Sequence, residues 1–275
     1  RTTPVRTLFP YTTLFRSIAS TIEQMENEIN HYLKKLKSEK KIRQEFFDNA
    51  SHELKTPLTS IRGYGELLRS GVVNDPKQAQ ECVDRILKET THMTALITDI
   101  LMISRLEGND VVEKKTDIAL RPAVEELCKS FTPMANEHRV MLEMQCETLC
   151  VHMSQKHVEQ LIGNLISNAI KYNHEGGTVD VLIRRQENLL VITVEDSGIG
   201  ISKEDEKHIF ERFYRVDKGR SRKIGGTGLG LSIVKHIARY YHGKIDLFSR
   251  ENIGTTITIT LPDVIVDESS ADQAA

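Results

Sequence analysis

The sequence lacks long apolar runs and lacks a strong net charge. No uninterrupted apolar stretch approaches the roughly 20 residues that a membrane-spanning helix needs, so we expect no such helix within these 275 residues. Lys and Arg number 37 against 39 Asp and Glu, a net charge of −2. This balance favours neither nucleic acid nor a membrane surface as a partner. The length predicts about two domains.

The cysteines lack the paired spacing of a zinc site. The four residues are Cys82, Cys128, Cys146 and Cys150, and no two of them form a CxxC pair. We interpret them as reduced thiols in a cytosolic domain. Cys146 and Cys150 are expected on the two strands of a β-hairpin.

The first 17 residues do not match the rest of the chain. RTTPVRTLFPYTTLFRS repeats itself loosely and carries no amphipathic period. It resembles translated cloning or adapter DNA, so we exclude residues 1–17 from the fold prediction. On this interpretation the natural N-terminus, with its sensor and any membrane anchor, has been cut away.

Residues 18–44 show a heptad pattern. The apolar positions alternate gaps of four and three: Ile18, Ile22, Met25, Ile29, Tyr32 and Leu36. This is the period of a two-stranded coiled coil. The pattern turns polar at Glu39 and Arg43 and resumes at Phe46. We predict a coiled-coil signalling linker.

Residues 45–107 predict two long amphipathic helices joined by the turn sequence GVVNDP at residues 71–76. The first inner stripe comprises Ala50, Leu54, Leu58, Ile61 and Leu68, and the second comprises Cys82, Ile86, Met93, Ile97 and Ile100. The second helix is expected from about Lys77 to Leu106. A helical hairpin cannot cover its own apolar stripe, so we predict a homodimer in which two hairpins form a four-helix bundle.

Residues 108–263 predict an α+β two-layer sandwich, in which helices cover a mixed sheet. Helical patterns are expected at 120–137 and 155–171. Strand patterns are expected at 140–145, 149–152, 178–184, 189–195, 244–248 and 255–261. The stretch 108–116 is expected to be a polar linker, and residues 264–275 a disordered tail.

His52 is the first candidate for chemistry. At about 100° per residue it lies on the opposite side of its helix from the Ala50–Leu54 stripe, so it should face solvent. An exposed imidazole can act as a nucleophile near neutral pH. Glu53 can accept its other ring N–H, and Thr56 lies one turn further along the same face. Pro57 should bend the helix there.

The motif S-H-E-L-K-T-P-L-T at residues 51–59 resembles the H-box of the sensor histidine kinases of two-component systems. The resemblance implies phosphorylation of His52 and a catalytic acidic role for Glu53. It also implies a part for Thr56 in dephosphorylating a partner response regulator.

A candidate nucleotide site follows on the second predicted helix of the α+β domain. Asn164, Asn168 and Lys171 or Tyr172 recur at helical spacing and share a face. Amide oxygens are hard donors suited to Mg²⁺, which usually keeps several waters and bridges phosphates. Lys171 supplies a positive charge for the phosphates, and Tyr172 a flat face for the base or ribose.

Two glycine-containing motifs complete this candidate site. In E-D-S-G-I-G-I at 195–201, Asp196 can accept the exocyclic amine of adenine, and Gly198 and Gly200 allow close approach of the backbone. In G-G-T-G-L-G-L at 225–231, backbone N–H groups converging at a helix N-terminus would bind an anion. Of the aromatic residues Phe210, Phe213 and Tyr214 between them, two are expected in the core.

Together these motifs resemble the N, G1, F, G2 and G3 boxes of the same family, which shares its ATP-binding fold with gyrase-type, heat-shock-chaperone and mismatch-repair ATPases. The resemblance implies ATP as substrate, Mg²⁺ on Asn168 with Asn164, and a lid between Phe210 and Gly226. It assigns nucleotide contacts to Lys171, Tyr172, Asp196, Gly198, Gly200, Ile201, Phe210, Gly226, Thr227, Gly228, Leu229, Gly230, Leu231 and Thr256. The last box reads G-T-T-I, where the family pattern has a small hydroxyl residue followed by Phe.

We therefore predict an ATP-dependent autokinase that phosphorylates His52 and passes the phosphoryl group to an aspartate of a response regulator. It would be the cytoplasmic portion of a bacterial membrane protein. Two alternatives are an ATPase of the same fold and a dimeric nucleotide-binding scaffold without phosphotransfer. The H-box argues against the first, because such ATPases have no need of it. Intact His52, Asn168 and Asp196 argue against the second.

Overall fold

The computed structural model describes residues 9–107, 114–216 and 226–266, with side chains from Ile18 onward. The chain divides into two compact units, residues 1–52 and 53–275. Most of the predicted lid (217–225), the linker at 108–113 and the tail from 267 lie outside the described residues, as do residues 1–8.

The first unit is a single helix wherever it is described. Helix α1 spans Phe9–Arg69, so it begins inside the segment that we excluded from the fold prediction and continues beyond the unit. The heptad residues, from Ile18 to Leu36, are 47–63% exposed. The apolar stripe that predicts a coiled coil therefore lies on the surface of this unit.

The second unit begins with the end of α1, Glu53–Arg69. A turn at Gly71, where φ is +68°, leads into α2, Pro76–Glu107. This confirms the predicted helical hairpin. None of the helices in the described ranges is long and apolar enough to cross a membrane.

Within one chain, the predicted apolar stripes of the hairpin are buried only in part. Cys82 is buried as expected, but Leu58 is 56% exposed and Ile97 is 44% exposed. The other buried apolar residues of α2 are Leu96, Met102 and Ile103. Because α2 also contacts the helix Gly230–Tyr240 of the α/β domain, its buried positions do not follow one hairpin stripe.

Among its described residues, the α/β domain has three longer helices and eight strands. The helices are α3 (Leu120–His138), α4 (Gln155–Lys171) and α5 (Gly230–Tyr240), with a short 3-10 turn at Asp205–Lys207. The strands are β1 (Thr116–Ala119), β2 (Met141–Cys146), β3 (Cys150–Met153), β4 (Thr178–Gln186), β5 (Leu189–Asp196), β6 (Lys244–Arg250), β7 (Gly254–Pro262) and β8 (Ile265–Val266).

These strands form two sheets. The larger has the order β2-β4-β5-β7-β6, in which only β2 and β4 run parallel. The smaller has the order β1-β3-β8 and is antiparallel. Alternate residues of β4 and β7 are buried, and β5 buries Leu190, Val191, Ile192 and Val194. Helices α4 and α5 contact each other, and both contact this sheet. The predicted α+β sandwich is confirmed.

Three expectations about this domain were wrong. Cys146 and Cys150 do not share a hairpin, because β2 pairs with β4 and β3 pairs with β1 and β8. The expected polar linker ends at Thr116, which is already the first residue of strand β1. The tail cannot begin at residue 264, because Val264 is 4% exposed and Ile265 pairs with Val151. All four cysteines are free thiols, and burial raises the pKa values of Cys128 and Cys146 to about 11.

Candidate nucleotide and phosphotransfer sites

The candidate phosphoacceptor lies in the middle of α1. His52 and Thr56 are exposed, and Glu53 is half-buried. The exposure of His52 agrees with its predicted position on the side of the helix opposite the apolar stripe. Pro57 is buried inside the helix, and the bend that we expect beside it stays a prediction.

The proposed nucleotide face of α4 lies beside the start of α5 and the turn after Asp196. Asn164, Asn168 and Lys171 are half-buried, as is Tyr172, which is the C-cap of the helix. The Nδ2 group of Asn164 donates to the carbonyl oxygen of Gln160 at 2.8 Å. Its Oδ1 atom therefore faces Gly230, where an added Cβ would lie 2.8 Å from it.

The amide oxygen of Asn164 is a donor of the kind that could hold Mg²⁺. No group of three or more His, Cys, Asp or Glu side chains in the described part of the chain could hold a metal. The engaged Nδ2 of Asn164 leaves a hard amide oxygen pointing toward the N-terminus of α5, the kind of donor that Mg²⁺ prefers alongside water and phosphate.

Asp196 ends β5 next to the end of α4. Its Oδ1 accepts the backbone N–H of Gly198 at 2.9 Å, and the backbone N–H of Ile199 donates to the carbonyl of Tyr172 at 3.0 Å. Burial raises the pKa of Asp196 to about 6, against the opposing effect of the N–H groups of Gly198 and Thr255. The fold thus places this carboxylate close to Tyr172.

The close approach predicted for the second glycine of this motif is present. Gly200 has φ of +66°, and an added Cβ would overlap the carbonyl oxygen of Arg250. The next N–H, from Ile201, donates to Ser249 Oγ at 2.9 Å. Ile201 is half-buried.

The glycine-rich stretch leads directly into α5, as predicted. Gly228 has φ of +70° and accepts the N–H of Phe213 at 2.9 Å. The hydroxyl of Thr227 accepts the N–H of Leu229 at 3.2 Å. Leu229 is buried, while Gly226, Gly230 and Leu231 are half-buried.

The three aromatic residues before this stretch are all half-buried, so the expectation that two of them belong to the core was wrong. Phe213 adopts a left-handed backbone with φ of +61°. The hydroxyl of Tyr214 donates to Asp205 Oδ1 at 2.5 Å. Phe210 lies on the same segment.

Thr255, rather than Thr256, lies beside Asp196. Thr255 is opposite Asp196 in the β5–β7 register, is 8% exposed, and its Oγ1 lies 2.9 Å from Ser249 Oγ. Thr256 faces the other side of the sheet, because side chains alternate along a strand. The buried residues Ile257, Ile259 and Leu261 carry this alternation and could have identified Thr255 from the sequence.

Two charged residues near this region were not predicted. Asp99 of α2 accepts the hydroxyl of Thr227 at 2.7 Å. Arg215 lies 4.0 Å from the carboxylate of Glu53. Burial lowers the pKa of Lys171 and raises that of Tyr172, and the positive charge of Arg215 acts on both. Arg215 stands in the F-E-R-F-Y-R motif, whereas no local pattern marks Asp99.

Comparison with protein families identifies the two parts of the chain. Residues 42–109 match the family described as the His Kinase A (phospho-acceptor) domain. Residues 153–265 match the family of histidine kinase-, DNA gyrase B- and HSP90-like ATPases. The sensor histidine kinase WalK of Bacillus subtilis (strain 168) is 39% identical over 235 residues, 84% of this chain. The chain belongs to the two-component sensor histidine kinases.

Solved structures of other histidine kinases share the fold. Histidine kinase AdeS of Acinetobacter baumannii gives a TM-score of 0.64 at 24% identity, covering 77% of this chain and 97% of that one. Histidine kinase ThkA, in complex with response regulator protein TrrA, gives 0.60 at 22% identity, covering 95% and 68%. This histidine kinase chain spans only 38% of the length of the WalK relative.

Proposed function

We propose that this chain is an autokinase unit that transfers the γ-phosphoryl group of ATP to His52. One observation carries the proposal: the α4 face, the Asp196 turn and the loop before α5 meet at one end of a domain that matches ATPases. The nine-residue motif around an exposed histidine supplies the acceptor.

The nucleotide lies across this end of the domain. Asp196 accepts the exocyclic amine of adenine while its Oδ1 is held by Gly198. Lys171 and the N–H groups near the start of α5 bind the phosphates. Asn164 and Asn168 would hold Mg²⁺, which would neutralise developing charge on the phosphates. Thr255 supports Asp196 from the neighbouring strand.

The transfer forms one bond and breaks one. An unprotonated ring nitrogen of His52 attacks the γ-phosphorus, and a nitrogen–phosphorus bond forms. The bond from that phosphorus to the oxygen bridging the β-phosphate breaks, and ADP leaves with the electron pair. Glu53 accepts the proton that the imidazole loses from its other nitrogen. Positioning and charge neutralisation supply most of the acceleration.

The active form is a homodimer. Apolar side chains of the hairpin are strongly exposed: Leu58, Leu67, Leu87 and Leu101 are 56%, 42%, 59% and 52% exposed. Pairing of two hairpins into a four-helix bundle buries them. The exposed heptads at 18–44 form the linker that carries the signal as a change in helix packing. Residues 45–107 and 108–263 are the phosphotransfer and ATP-binding domains.

An aspartate of a response regulator receives the phosphoryl group from His52, and Thr56 contributes to its later hydrolysis. The complex of ThkA with TrrA supports this class of partner by its fold. A longer parent protein, with a membrane-bound sensor before residue 18, supplies the signal. The chain spans only 38% of the length of the WalK relative, which supports such a parent.

The test separates the nucleotide site from the acceptor. His52→Gln is expected to bind ATP like the wild type and to incorporate no label from γ-labelled ATP. Asp196→Asn is expected to lose both binding and labelling. If the His52→Gln variant still incorporates label, the acceptor is a residue other than His52. Unaltered ATP binding by Asp196→Asn would remove the nucleotide site from this end of the domain.

A further inference from the structure

Asp99 ties the helical hairpin to the glycine-rich loop. Its Oδ2 atom accepts the Thr227 hydroxyl at 2.7 Å, and the same hydroxyl accepts the N–H of Leu229 at 3.2 Å. The bond joins residues 128 positions apart in the chain. It lies where α2 contacts α5, the helix that begins at Gly230.

The Asp99 carboxylate also interacts with Lys171. Burial raises the pKa of Asp99, while the hydrogen bond from Thr227 and the positive charge of Lys171 act in the opposite direction. In return, the negative charge of Asp99 opposes the lowering of the Lys171 pKa by burial. One carboxylate thus interacts with a loop hydroxyl and with a lysine that the proposed function gives to the nucleotide phosphates.

We propose that Asp99 competes with the nucleotide phosphates for Thr227 and Lys171, so that it acts as an internal latch on the ATP site. This inference rests on the proposed function. A carboxylate and a phosphate repel each other when they share one hydroxyl and one lysine in a partly buried site. Binding of the phosphates therefore displaces Asp99 and loosens α2 from α5.

The coupling is reciprocal. If phosphate binding weakens the contact of α2 with α5, then a hairpin arrangement that strengthens this contact weakens ATP binding by the same factor. A signal that shifts α2 would then change ATP affinity without touching the adenine end of the site. Adenosine, which has no phosphates, should be insensitive to Asp99.

The experiment compares two ligands on matched variants by titration calorimetry in Mg²⁺ buffer. The ligands are a non-hydrolysable ATP analogue and adenosine. Asp99→Asn keeps the size of the side chain and removes its charge. Asp84→Asn is the control, because Asp84 is an exposed carboxylate on the same helix that accepts a hydrogen bond from Gln80.

Asp99→Asn is expected to bind the ATP analogue about fivefold to tenfold more tightly than the wild type, the effect of removing one charge interaction of ordinary strength. Its adenosine affinity should stay within about twofold of wild type, and Asp84→Asn should change neither affinity. The gain in affinity for the analogue should be only partial, because the ion pair of Glu53 with Arg215 still joins the hairpin to the α/β domain.

Unchanged or weaker binding of the analogue by Asp99→Asn overturns the latch, as does an equal gain for adenosine. If thermal unfolding shows that Asp99→Asn is not folded, Asp99→Ser replaces it in the titrations with the ATP analogue and adenosine. Different results would contradict the latch and the proposed function. A wild type that binds neither ligand, or an Asp196→Asn variant that binds both like wild type, contradicts the nucleotide site itself.

Discussion

Gly198 holds the carboxylate of Asp196: its backbone N–H donates to Oδ1 at 2.9 Å, two residues along the chain. This bond favours the ionised carboxylate, yet burial prevails and raises the pKa of Asp196 to about 6. The group proposed to accept the adenine amine therefore changes charge within reach of ordinary buffers.

Adenosine binding should depend on pH through this group. The bound amine is a donor and favours ionised Asp196, so affinity should rise as pH rises through about 6 and level off above it. Calorimetric titration from pH 5 to pH 8 (about one unit below the change and about two above it) measures this. Adenosine is used because it has no titrating phosphate.

The control for this titration is Asp196→Asn, which should bind adenosine more weakly and without a step in the same pH range. A wild-type profile that is flat, or that rises on acidification, would contradict the assignment of Asp196.

Gly200→Ala should strongly destabilise the α/β domain. The residue has φ of +66°, and an added Cβ would overlap the carbonyl oxygen of Arg250. The backbone strain and the overlap together should cost about 2–4 kcal/mol of unfolding free energy. Denaturant titration measures the loss. Gly226→Ala is the control, because nothing lies within 4 Å of its added Cβ, and it should change the stability by less than about 0.5 kcal/mol.

The two threonines of β7 should differ in their effect on stability. Thr255→Val removes a buried hydroxyl that bonds to Ser249 and should cost about 1–2 kcal/mol of unfolding free energy. Thr256→Val, on the opposite face of the strand, should change it by less than about 0.5 kcal/mol. Equal losses from both variants in denaturant titration would refute the assignment of Thr255 to the inner face.

Dimerisation should depend on the exposed side of α2. Leu87→Glu places a charge in the proposed four-helix bundle and should shift the chain toward monomer in sedimentation experiments. Ile253→Glu is the matched control, since both side chains are 59% exposed and Ile253 lies in the β6–β7 turn. Loss of the dimer in both variants, or in neither, argues against the bundle.

The sequence predicts those features of the site that depend on local spacing. The face of α4 follows from helical periodicity, and the position of Asp196 at a strand end follows from the apolar run before it. Asp99 could not be predicted, because its contact with Thr227 depends on how α2 meets α5. Strand β1 is only four residues long, too short for its alternation to stand out. The separation of Cys146 from Cys150 depends on which strands pair, which spacing alone does not determine.

The most direct test of the central claim is the position and chemistry of the transferred group. The wild type is incubated with Mg²⁺ and with ATP labelled at either the α- or the γ-phosphate, and labelled peptides are mapped. We predict γ-label only, acid-labile and alkali-stable, on the peptide that contains His52. His31→Gln, which changes another exposed histidine of α1, should retain it. Label from the α-phosphate, label on another peptide, or label that survives His52→Gln would contradict the account.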